Sequence, residues 1–108
     1  MKVRFYIVMV SFILSFSRAN ADSKLKIVVS IKPFHSLVSG VMDGVSNPRL
    51  LLKGNLSPHR YSMKPSDAKE LKYAEIIFWG GENLEIFLTK PISSLSKKAK
   101  VISLLQID

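Results

Sequence analysis

Ile27-Val28-Val29-Ser30-Ile31-Lys32-Pro33 is a short β-branched run that meets a lysine and then a proline. An apolar run without polar alternation suits a strand covered on both faces. Proline suits the first turn of a following helix, where its missing N–H has no intrahelical partner to lose. Phe34, Leu37, Val38 and Val41 then fall at i, i+3, i+4 and i+7 as one apolar stripe, and Gly44 supplies a stop. A buried strand feeding an amphipathic helix is the first half of a βαβ unit.

The alternation repeats downstream. Asn47-Pro48 marks a turn, and Arg49-Leu50-Leu51-Leu52 reads as a second strand that ends at Lys53-Gly54-Asn55. Pro65-Ser66-Asp67 signals a helix start: the proline pre-sets the first turn, Ser66 is able to accept a backbone N–H, and Asp67 meets the positive end of the helix dipole. That helix is expected to end near Tyr73. Ala74-Glu75-Ile76-Ile77-Phe78-Trp79 supplies a third buried strand, Gly80-Gly81 a turn, and Glu82 the acidic start of a third helix whose Leu84, Phe87 and Leu88 share a face. Pro91 ends or kinks that helix, and Val101-Ile102-Ser103-Leu104-Leu105 is the fourth strand candidate. The expected fold is α/β: a parallel-sheet βαβ lobe of about four strands with helices on both faces. In such sheets ligands bind outside the carboxyl ends of the strands. The loop after the second strand, which carries His59, and the Gly80-Gly81 turn after the third both belong to that edge.

Residues 1–21 read as a cleavable secretory signal: Lys2 and Arg4 give a charged start, residues 5–16 are mostly apolar, and Ala19-Asn20-Ala21 is an A-x-A cleavage site. As a membrane anchor the run is too short, because spanning takes roughly 20 apolar residues. The expected organisation is a signal peptide over 1–21 and one α/β lobe over 22–108, exported to the periplasm. Cysteine is absent, so there is no disulfide framework, thiolate metal site or lipid-attachment cysteine. Of the 16 Lys and Arg residues, Lys2, Arg4 and Arg18 fall in the signal; the remaining 13 against 8 acidic residues leave a net charge of about +5. The lysines are scattered along the sequence, with only Lys97-Lys98-x-Lys100 grouped, which argues against nucleic-acid binding and for a solvated surface. A domain of this size buries only roughly 60 to 65 per cent of its unfolded surface, so marginal stability is expected. No G-x-S-x-G elbow, phosphate loop, H-E-x-x-H or cysteine nucleophile occurs, and the chain is not expected to be an enzyme.

One loop stands out chemically. Pro58-His59-Arg60-Tyr61 followed by Pro65-Ser66-Asp67 puts an imidazole between a strand and a helix, where an α/β protein presents a metal ligand. The pattern P-H-x-Y-x-x-x-P-S-D resembles the first metal-ligand motif of the periplasmic zinc-binding and manganese-binding proteins that feed ABC importers. The strand running into Ile31-Lys32-Pro33, the Ala74 to Trp79 strand with its glycine turn, and Lys90-Pro91-Ile92-Ser93-Ser94-Leu95 extend the similarity. From Lys26 to Asp108 the chain looks like the amino-terminal lobe of a zinc ABC transporter substrate-binding protein, roughly the first third of such a protein.

The resemblance implies two α/β lobes with metal held in the cleft between them. It makes His59 the first ligand to Zn2+, with Mn2+ the less favoured cargo because these segments look more like the zinc branch. It leaves the other ligands to a second lobe that this sequence lacks, and names as partner an ABC transporter permease in the inner membrane. Zinc takes about four ligands, so one imidazole alone should bind it poorly. Three functions are therefore in competition. The first is a zinc-capturing receptor lobe, the second a truncated, non-transporting remnant of one, and the third a basic periplasmic module that binds anionic surfaces or a partner. Self-association is a further expectation, because an uncapped parallel sheet without its partner lobe invites it. The other candidate residues receive plainer readings: His35 a surface or capping role, Tyr61 packing over the loop, Asp67 an N-cap, Glu82 and Glu85 solvated carboxylates, and Trp79 core or lobe interface.

Overall fold

The structure, a computed structural model, describes residues 24–54, 57 and 60–106. Residues 1–21, expected to be an export signal, together with Pro58, His59 and Asp108, lie outside the described residues. The elements are β1 (Ile27–Val29), α1 (Lys32–Val41), β2 (Arg49–Leu50), α2 (Pro65–Tyr73), β3 (Ile76–Trp79), α3 (Ile86–Leu95) and β4 (Lys100–Ser103). The four strands form one sheet in the order β2-β1-β3-β4, and every pairing is parallel. Pairing extends beyond the two residues of β2, since the Leu51 and Leu52 N–H groups donate to the Val29 and Ser30 carbonyls at 2.8 and 2.9 Å. The α/β lobe expected from the alternation of strands and helices is the fold observed.

Successive strand residues face opposite ways, so the apolar runs feed two layers. Val28, Ile77 and Trp79 meet Leu71 of α2 and Leu88 and Ile92 of α3 in the larger core. Ile27 and Val29 face Val38 of α1, with Phe34, Met42, Ile76 and Phe78 packed around them. Each fully buried aliphatic side chain here contributes about 1.5 to 3 kcal/mol relative to exposure. Among the described residues no helix is long and apolar enough to cross a membrane.

The structure departs from expectation at several boundaries. α1 meets the sheet along Phe34, Val38 and Met42, spaced at i, i+4 and i+8. Leu37 and Val41, expected in the buried stripe, are exposed because α1 crosses its sheet face without a neighbouring helix among the described residues. The third helix begins at Ile86 rather than Glu82: Gly81 takes φ 101°, and residues 82–84 form a turn before the helix starts. Pro91 neither ends that helix nor prevents it, and α3 runs on to Leu95. β4 is displaced to Lys100–Ser103, in register with β3.

Candidate functional site

Strand order makes the gap between the carboxyl ends of β1 and β3 the topological switch point, because the chain leaves β1 towards β2 on one side and β3 towards β4 on the other. Ser30 follows β1 and Gly80 follows β3 at this edge. Glu85, the residue before α3, is 0 % exposed and joins the two strand ends. Its Oε2 accepts a hydrogen bond from the Ser30 hydroxyl at 2.9 Å and another from the Gly80 N–H. Its Oε1 is buried without a hydrogen-bond partner among the described residues. The expectation of a solvated Glu85 is thus overturned. Gly80 permits the approach, since a Cβ there would lie 3.1 Å from Glu85 Oε2 and 2.7 Å from Leu84 Cδ2. Glu82, three residues earlier, is exposed as expected.

The loop that carries His59 leaves β2 at the same edge, and its described flanks are anchored. Arg60 N–H donates to the Ser57 carbonyl at 2.9 Å. The Tyr61 hydroxyl donates to Asp67 Oδ2 at 2.8 Å, and its ring lies 5.3 Å from the Phe87 ring at 57°. Burial, then the hydrogen bond to Asp67 and its negative charge, push the Tyr61 hydroxyl well above the usual phenol range. Tyr61 therefore both packs, as expected, and fastens the loop to two helices. Lys64 is the N-cap of α2, and its N–H points to Asp67 Oδ2 at 3.4 Å, so Asp67 fills the capping role that Ser66 was expected to share.

His35 does not belong to this edge chemically. Its Nε2–H donates to the Pro48 carbonyl at 2.9 Å, with Ser39 Oγ at 3.5 Å, which ties α1 to the turn before β2. Trp79 is buried in the larger core, as expected. Among the described residues no three His, Cys, Asp or Glu side chains form a group able to hold a metal ion. The structure therefore brings Ser30, Gly80 and Glu85 together, while His59 lies outside the described residues. The sequence marks each partner separately, a serine at the end of an apolar strand and a glutamate inside Leu84-Glu85-Ile86-Phe87-Leu88, without pairing them.

Comparison with known proteins adds the lineage. A family model described as zinc-uptake complex component A, periplasmic (ZnuA) matches residues 27–107. The high-affinity zinc uptake system protein ZnuA of Brucella abortus is 51% identical over 84 residues, which is 78% of this chain and 25% of that protein. The chain thus spans about a quarter of the length of the curated relatives it matches. The Zn(II)-bound ZnuA-like domain of Streptococcus pneumoniae AdcA superposes with a TM-score of 0.66 at 27% identity, covering 75% of this chain and 31% of that one. An Mn-bound periplasmic metal binding protein from Candidatus Liberibacter asiaticus has the same fold, with a TM-score of 0.66, 22% identity and coverage of 75% and 31%. Because the family model matches residues 27–107, three quarters of the sequence, the chain belongs to the periplasmic zinc-uptake component A family.

Proposed function

We propose that this chain is the amino-terminal, zinc-capturing lobe of the periplasmic binding component of an ABC-type zinc uptake system. In this reading His59 is the first ligand to the Zn2+ cargo, and residues 1–21 direct export to the periplasm. Further ligands come from a second lobe, and an inner-membrane permease receives the metal. The chain acts by binding rather than by catalysis. The supporting observation is that the family match runs through residues 27–107 and so includes the loop after β2 with its Pro58-His59-x-Tyr61 motif. Zinc is favoured over manganese because an imidazole ligand suits zinc, whereas manganese sites lean towards carboxylates and water.

A single imidazole leaves most of the coordination sphere to water, so capture by this chain alone should be weak. Isothermal titration with zinc tests the assignment. The unmodified chain is expected to bind zinc in preference to manganese, and His59→Ala to lose that binding. Equal heats from the two proteins, or no zinc binding by either, would remove metal capture at His59.

A further inference from the structure

The cations that look scattered along the sequence are gathered by the fold. Because the strands are parallel, their starts share one edge, opposite the one that carries Glu85 and the His59 loop. Lys24, Lys26, Arg49 and Lys69 line an open depression of about 630 Å³ at that amino edge. Lys72, Lys97 and Lys98 line a second, of about 500 Å³. Tyr73 borders both and is 53% exposed, with the Lys26 and Lys72 Nζ atoms each 5.7 Å from its ring centroid.

The acids nearby are engaged locally: Glu70 lies 3.5 Å from Arg49, and Glu75 accepts the Lys26 backbone N–H at 2.7 Å. These seven cations and two acids carry a net charge of about +5, and Asp43 in the turn before β2 and Lys100 at the start of β4 add one charge of each sign at the same edge.

We propose that this amino edge docks on an anionic phospholipid surface. The cations do not converge on one point, as they would for a single bound anion, but spread around an exposed tyrosine over two open depressions. Such an array matches a plane of headgroup phosphates, and an amphipathic tyrosine ring suits the headgroup level. Each basic side chain near an anionic leaflet strengthens adsorption about fivefold. Adsorption by this edge leaves the opposite edge free and does not depend on metal capture.

Co-sedimentation of the full chain with vesicles tests this docking. Binding is expected to vesicles of phosphatidylcholine mixed with phosphatidylglycerol, not to phosphatidylcholine alone, and to fall steeply with added salt. A Lys26→Gln, Lys72→Gln, Lys97→Gln, Lys98→Gln variant should partition on the order of a hundredfold or more weakly. A Lys32→Gln, Lys53→Gln, Lys64→Gln, Lys90→Gln variant loses as many charges elsewhere and should change by less than about tenfold. If the first variant fails to fold by circular dichroism, the single Lys26→Gln and Lys97→Gln variants should each lose about fivefold. Equal losses in the two quadruple variants, binding to phosphatidylcholine alone, or capture of soluble polyphosphate without vesicle binding would overturn the proposal. His59→Ala should sediment like the unmodified chain, so a failure of metal capture and a failure of docking are separately visible.

Discussion

Tyr61 ties the His59 loop to the body of the lobe through one hydroxyl and one ring face. Its hydroxyl titrates higher in the folded chain than in the unfolded one, where a phenol titrates near ~10. Above that pH the unfolded chain holds fewer protons, so stability falls as pH rises; below it the contribution is fully present. Tyr61→Phe should lower stability by about 1 kcal/mol near neutral pH through the lost hydrogen bond. Urea unfolding followed from about pH 8 to about pH 11 should show the variant losing less stability than the unmodified chain over the alkaline part of that range. Parallel curves would mean that the Tyr61 hydroxyl does not titrate differently on folding.

At the scale of elements, the β3 to α3 corner is the tightest joint. Gly80 sits under Leu84, Glu85 and Phe34, so a methyl group there meets side chains at 2.7 to 3.1 Å and disturbs the acceptor of its own N–H. Gly80→Ala is expected to cost about 1 to 3 kcal/mol. The cost should appear as a lower urea midpoint at unchanged slope. This corner also marks the limit of what periodicity could reveal. The apolar runs at Ile27 and Ile76 announced a parallel sheet, because inner strands covered on both faces need no alternation. The start of α3 was hidden because Glu82 resembles a helix opener, whereas the positive φ of Gly81 and the burial of Glu85 delay the helix to Ile86. The family was legible in the loop motif, since P-H-x-Y leans on residue identity rather than on periodicity. The Ser30–Glu85 contact was not, because it joins positions 55 apart that only the βαβ crossover brings together.

For the whole molecule, one thin sheet supports both helical layers, and neighbouring strand residues serve opposite cores: Val28 one, Val29 the other. Neither layer has a platform without the other. Unfolding should therefore be a single transition, with stability at or below the lower end of the roughly 5 to 15 kcal/mol range for domains. Trp79, the only tryptophan, reports the α2 and α3 side by fluorescence, while far-ultraviolet circular dichroism reports α1 together with α2 and α3. Their urea midpoints should coincide. A separate early loss of ellipticity would show that α1 comes away alone.

Strands of two to four residues make the distance between the sheet's two edges small, at most about 13 Å for the longest. That is little more than the ~8 Å over which physiological salt screens a charge. In dilute buffer the positive potential of the amino edge therefore reaches the opposite side and retards any divalent cation arriving there. As ionic strength rises the two edges become electrically independent, and the arrival rate of a cation should increase. The brevity of the strands makes the apparent reactivity of one end of the molecule depend on the ions that screen the other.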